Sequence, residues 1–139
     1  MTERLRVVVD TNVLVSALWS PGSVPARALL YLLSHTTLVV DERIVAEYRK
    51  TLEKPKLRRI SVEAREALLT RLEAEALHLG ATAVYPGALT DPDDRPFVEV
   101  AIAGRCTMLV TGNLRDFPTT LGFEVVPPAH VLGAFEAAH

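Results

Sequence analysis

Carboxylates beside apolar segments are the residues of this sequence best suited to chemistry. Asp10 interrupts the apolar run LRVVVDTNVLVSAL at residues 5–18. A buried carboxylate without a partner is costly, so a compensating group is expected near it. Carboxylates brought together repel one another unless one takes up a proton or a cation joins them. Hard divalent ions such as Mg²⁺ or Mn²⁺ prefer oxygen ligands of this kind.

Two further acids stand where an inward-facing carboxylate is expected. Asp116 follows an apolar segment in TGNLRDF, residues 111–117. Asp94 precedes the apolar pattern PFVEVAIA, and Pro96 is tolerated only in the first turn of a helix. The cap is therefore expected at about Asp93, with Asp94 in the first turn on the same face as Phe97.

Glu47 is the weakest of these candidates. It lies at the edge of a predicted buried stripe, next to Ile44 and Thr51. Each acid also has an ordinary structural role open to it: Asp94 as a helix cap, Asp116 as a turn residue and Glu47 as a solvated helix residue. The neighbouring Asp91 and Asp93 are expected to cap the helix or face solvent.

The elements that would position these acids alternate between strand and helix. We predict strands over residues 5–10, 37–40, 82–86, 106–111 and 123–127, and helices over about 12–19, 25–35, 42–54, 62–79, 94–103 and 128–137. This alternation favours an α/β domain with a mostly parallel sheet. Because ligands bind at the carboxyl ends of parallel strands, Asp10 and Asp116 are expected at one edge.

Three segments resemble motifs of the PIN-domain family, in order and over almost the whole chain. VVVDTNVLVSAL resembles the first motif, DPDDRPFVEVAIAG the third and MLVTGNLRDF the fourth. PIN domains are nucleases, and many are toxins of bacterial and archaeal toxin–antitoxin pairs such as the VapC type. The resemblance implies a three-layer α/β/α fold with a five-stranded parallel sheet, commonly a homodimer, and an antitoxin that covers the acidic cleft.

The resemblance also implies roles for individual residues. It makes an acidic metal site for Mg²⁺ or Mn²⁺ of Asp10, Glu47, Asp94 and Asp116. Asn12 and Thr111 would support that site by hydrogen bonding. Many relatives carry Asp where this chain has Asn113, so it stays open whether Asp116 binds the metal directly or through water.

The chemistry expected of such a site is metal-dependent cleavage of RNA. We hypothesise in-line attack by a metal-activated water, leaving a 5′-phosphate and a 3′-hydroxyl. One alternative is a haloacid-dehalogenase-like phosphatase, but that chemistry needs a second Asp where Asn12 stands and a late lysine, and no lysine follows Lys56. The other alternative is a PIN-like domain that binds RNA or protein without cutting.

Cations that could contact an RNA backbone occur mainly in RKTLEKPKLRR, residues 49–59. This run carries six basic residues, namely Arg49, Lys50, Lys54, Lys56, Arg58 and Arg59. It is either a phosphate-binding patch or a solvated helix end. Arg95 and Arg115 lie nearer to the acids and are expected to touch either RNA or a carboxylate, so they join Asn12, Thr111 and Asn113 as candidate substrate-site residues.

Length and composition are those of an ordinary globular protein. The 139 residues fit a single domain, the net charge is −2, and the one cysteine, Cys106, excludes an internal disulfide. We expect residues 1–139 to form one domain located in the cytoplasm, without a membrane span.

Overall fold

The computed structural model describes residues 4–80 and 83–138, with side chains as far as residue 133. The strands are β1 (Arg6–Val9), β2 (Thr37–Val40), β3 (Leu77–His78), β4 (Met108–Val110) and β5 (Glu124–Val126). The helices are α1 (Thr11–Trp19), α2 (Val24–His35), α3 (Glu42–Leu52), α4 (Val62–Glu75), α5 (Arg95–Ala103) and α6 (Pro128–Ala138).

The strands form one parallel sheet in the order β3-β2-β1-β4-β5. The central strand β1 is buried along Val7, Val8 and Val9, as expected for a strand covered on both faces. Helices α1, α2 and α6 pack together, while α5 packs on β1, β2 and β4 beside α3. The sheet thus lies between helical layers, and the predicted α/β architecture is confirmed.

Side-chain caps begin three of the helices. Asp41 accepts a hydrogen bond from the N–H of Ile44 at the start of α3, and Ser61 accepts one from Ala64 at the start of α4. Both starts match the sequence pattern. Ser23 caps α2 in the same way. Such caps satisfy N–H groups that have no partner within the helix.

The prediction was wrong between residues 76 and 86. Helix α4 ends at Glu75 rather than near Gly80, and the chain at once forms β3. Leu77 pairs with Val39 and His78 with Val40, so a parallel sheet contact overrides the helical spacing of the leucines. Residues 83–86 form no strand, and residue 82 lies outside the described residues.

No single helix in the described part of the chain is long and apolar enough to cross a membrane. Helices α1 and α2 pass that test as a pair, by length and composition alone, with a bend of 118° between them.

Candidate active site

The register between β1 and β4 creates the site. Val9 pairs with Val110, and the N–H of Asp10 donates to the carbonyl of Val110 at 2.9 Å. Asp10 and Thr111 therefore leave neighbouring strands side by side at the carboxyl edge. This is the point where the strand order reverses, because β2 lies on the other side of β1.

Asp10 occupies the cap position of α1 but does not cap it. Its side chain makes no capping hydrogen bond; instead Oδ2 accepts from Thr111 Oγ1 at 2.8 Å and from Asn12 Nδ2 at 3.3 Å. The residue is only 6% exposed. Burial raises the pKa of Asp10; the hydrogen bond from Thr111 opposes this rise, and the charges of Asp116 and Glu47 add to it.

Asn12 and Thr111 join the two motifs that carry the site. Asn12 Oδ1 accepts from the N–H of Gly112 at 3.0 Å, and its Nδ2 also donates to Thr111 Oγ1 at 3.4 Å. Thr111 Oγ1 in turn accepts from the N–H of Asn113 at 3.0 Å. The hydroxyl thus holds both the Asp10 carboxylate and the turn after β4. The side chain of Asn113 is exposed and lines the cleft that Asp10 also lines.

Asp94 ends a 3₁₀ turn, Pro92–Asp94, and stands at the cap position of α5, one residue later than the predicted cap at Asp93, because the 3₁₀ turn precedes the helix. Its carboxylate makes no capping hydrogen bond, although the residue is only 9% exposed. Burial raises the pKa of Asp94 to about 7, and the charges of Asp10, Asp91, Asp116 and Asp93 add to the effect. Capping therefore does not explain why a carboxylate stands here.

Glu47 and Asp116 complete the set of predicted acids. Glu47, on α3, is half-buried and accepts a hydrogen bond from Thr51 Oγ1 at 3.2 Å. Asp116 is half-buried in the 3₁₀ turn Leu114–Asp116 after β4. Both carboxylates act electrostatically on Asp10.

All four predicted acids line one cleft of about 410 Å³. We call it the acidic cleft. Six carboxylates and two lysines are among its lining residues: Asp10, Glu47, Asp91, Asp93, Asp94, Asp116, Lys54 and Lys56. Asp91 and Asp93 are exposed, as predicted, and Asp91 caps the 3₁₀ turn rather than helix α5, by accepting from the N–H of Asp93. Their contribution to the charge of the cleft was missed by the sequence analysis.

The carboxylate oxygens of the predicted acids are suitable ligands for a hard cation. Within the described residues, no Lys or Arg forms an ion pair with Asp10, Glu47, Asp94 or Asp116. The buried Thr11 Oγ1 beside them has no hydrogen-bond partner there either. However, no three His, Cys, Asp or Glu side chains of the described part are close enough together to hold an ion as they stand. The acids share a cleft without forming a closed ligand shell.

The two candidate arginines lie outside the acidic cleft. The Arg95 guanidinium donates to the carbonyls of Tyr85 and Gly87 and lies over the Tyr85 ring. Arg95 therefore secures the segment before Asp91. Arg115 is exposed on the 3₁₀ turn beside Asp116 and borders a neighbouring depression rather than the cleft itself.

A buried ionic group on α5 also escaped the sequence analysis. Glu99 is 6% exposed and accepts from Arg43 Nη1 at 2.7 Å and from the N–H of Tyr85 at 2.9 Å. Burial opposes its ionisation, but these hydrogen bonds hold the pKa of Glu99 below its ordinary value. Arg43 also donates to Asp41 at 2.9 Å. The only signal in the sequence was a Glu within an otherwise apolar helix, one turn after Arg95.

Comparison with known families decides where this chain belongs. The sequence model described as "PIN domain" matches residues 6–115, which is most of the chain. The chain belongs to the PIN-domain family. The match runs from the start of β1 to the turn after β4, so it includes the elements that carry Asp10, Glu47 and Asp94, and it ends one residue before Asp116.

Solved structures also resemble this PIN domain. One is the crystal structure of VapBC2 from Rickettsia felis bound to a DNA fragment from their promoter. It superposes with a TM-score of 0.60 at 17% sequence identity, covering 88% of this chain and 98% of that one. At this identity the likeness establishes the fold. No curated protein matches the chain.

Proposed function

We propose that this PIN domain is a Mg²⁺- or Mn²⁺-dependent endoribonuclease that hydrolyses phosphodiester bonds in RNA. The observation that carries the proposal is the acidic cleft itself. Asp10, Glu47, Asp94 and Asp116 come from four separate segments, and their side chains face one cleft without a cationic partner in the described residues. Concentrated charge of this kind is expected where a divalent ion binds.

Each of these residues has a part in the proposed reaction. Asp10, Glu47, Asp94 and Asp116 would hold the cation, and Thr111 and Asn12 orient the Asp10 carboxylate. When bound, a divalent ion polarises the phosphodiester and lowers the pKa of water. The raised pKa of Asp94 means that this carboxyl readily holds a proton until a cation replaces it.

We further propose that the chain is the toxin of a toxin–antitoxin pair and that it works in the cytoplasm as a homodimer. Family membership supports this proposal, and so does the likeness to a chain from the VapBC2 structure. An antitoxin would inhibit the toxin by covering the acidic cleft.

The test is incubation of the purified protein with structured and unstructured RNA in Mg²⁺, Mn²⁺ or EDTA. We expect cleavage with either ion and none in EDTA, and an Asp10→Asn variant should not cut. Asn keeps the acceptor for Thr111 while removing the charge, so loss of activity would not reflect a lost hydrogen bond. Full cleavage by Asp10→Asn would refute the proposal. Hydrolysis of a small phosphomonoester would instead support the phosphatase alternative, and RNA binding without cleavage the non-catalytic one.

A further inference from the structure

The basic run at residues 49–59 is divided by the fold. Arg49 pairs with Glu73 on α4, away from the acids. Lys50, Arg58 and Arg59 are exposed but do not line the acidic cleft. Lys54 and Lys56 do line it, and neither forms an ion pair within the described residues. Of the six basic residues, these two alone face the acids.

The positions of Lys54 and Lys56 are set by folded backbone. The N–H of Lys54 donates to the carbonyl of Thr51 at 3.2 Å, and the carbonyl of Lys54 accepts from the N–H of Leu57 at 3.0 Å. Leu57 is 1% exposed and anchors the 3₁₀ turn Pro55–Leu57 in the core. Thr51 also donates to Glu47 at 3.2 Å. The lysines are therefore held at a defined place relative to a candidate ligand of the metal.

The charge of the cleft makes these two lysines important for binding a polyanion. Six carboxylates line it and repel a polyanion. Among the lining residues that the structure describes, Lys54 and Lys56 are the only basic ones. A single-stranded nucleic acid whose scissile phosphate lies at the acids must extend its neighbouring phosphates out of the same cleft. Lysine binds phosphate as a compact, strongly hydrated point charge on a flexible stem, so it can follow such a backbone.

We infer that Lys54 and Lys56 form a subsite for the backbone phosphates that flank the scissile bond of single-stranded RNA. This inference rests on the proposed ribonuclease function. It assigns substrate contact to the turn after α3, and it excludes Lys50 and Arg59 of the same basic run.

The experiment compares two double variants of equal charge change. K54Q/K56Q removes the cations of the cleft, and K50Q/R59Q removes two exposed cations of the same run that lie outside it. Both are made in the Asp10→Asn background to preserve the RNA. Binding of a fluorescein-labelled single-stranded RNA is followed by fluorescence anisotropy over a range of salt concentrations, with Mg²⁺ and with EDTA. Labelled poly-glutamate is the competing acidic probe.

We expect K54Q/K56Q to weaken RNA binding several-fold. The plot of log K against log salt should become less steep by about 0.7 for each lysine, because each lost phosphate contact means that fewer counterions are released on binding. K50Q/R59Q should change the slope much less. The inference would be overturned if both double variants had equal effects or if K54Q/K56Q had none. It would also be overturned if the protein did not bind RNA at all, or if the lysines were needed for binding poly-glutamate but not RNA. Lysine-dependent binding in this background, together with no metal-dependent cleavage by the protein with Asp10 intact, would support the subsite while refuting the proposed function.

Discussion

Thr111 and Asp10 are 101 residues apart in the chain, yet Thr111 Oγ1 donates to Asp10 Oδ2 at 2.8 Å. The same hydroxyl accepts a hydrogen bond from the N–H of Asn113 at 3.0 Å, and Thr111 is fully buried. One threonine thus fixes the orientation of the central carboxylate and the start of the turn that carries Asp116. Such supporting groups control how well a carboxylate serves as a metal ligand.

Replacing Thr111 with Val tests this relationship. The substitution keeps the shape of the side chain but leaves Asp10 and the N–H of Asn113 without this partner. We expect Mg²⁺ affinity, measured by isothermal titration calorimetry, to fall about 10- to 100-fold. Thr111→Ser should restore most of the affinity because it keeps the hydroxyl. Unchanged affinity in Thr111→Val would show that the hydrogen bond is not needed for orientation.

The raised pKa of Asp94 predicts an unusual pH dependence of stability for the protein in EDTA. Its ordinary pKa is 3.8 and its folded-state pKa is about 7, so between these values the folded chain binds a proton that the unfolded chain has lost. The free energy of unfolding should therefore decrease as pH rises from about 4 to about 7. Urea denaturation across this range measures it.

An Asp94→Asn variant is the control for that pH dependence. It should flatten the decrease, because the titrating group is gone while the side-chain shape is kept. The pKa of Asp10 is also raised, so the free energy of unfolding of the variant should still decrease with pH, but less steeply. An identical pH profile in both proteins would show that Asp94 ionises normally.

Divalent ions should stabilise the folded protein against heat. An ion that binds only the folded state contributes about 2.7 kcal/mol when present at a hundred times its Kd. We expect Mg²⁺ or Mn²⁺ to raise Tm at pH 8 in a thermal shift assay and EDTA to reverse the rise. Asp10→Asn and Asp94→Asn should lose most of it. An equal rise in these variants would place the ion elsewhere on the protein.

Truncating Glu99 should destabilise the fold without removing a proposed ligand. In Glu99→Ala the N–H of Tyr85 and the Arg43 guanidinium lose their partner, at a cost of about 1–3 kcal/mol in the free energy of unfolding. Chemical denaturation measures the change. Glu66→Ala, an exposed acid in the middle of α4, should stay within about 0.5 kcal/mol of the parent. Similar values for both variants would mean that the contacts of Glu99 with Arg43 and Tyr85 contribute nothing to stability.

Local sequence patterns were sufficient for much of the fold. The apolar run before Asp10 and the capping residues Asp41 and Ser61 place β1 and the starts of α3 and α4 correctly. These features depend on residues within a few positions of one another, so their physics can be read without knowledge of the fold. The pattern failed at Leu77 and His78, where pairing with the distant β2 overrides a helical spacing.

The sequence by itself determined that Asp10 ends an apolar strand and that three further acids could join it. Only the tertiary structure decided which cations accompany them: Lys54 and Lys56 line the cleft, Arg49 pairs with Glu73, and Arg95 binds backbone carbonyls. The reason is that strand and helix preferences act over short stretches of chain. The direction of a long, flexible Lys or Arg side chain depends instead on the strand register and helix packing that bring distant acceptors within reach.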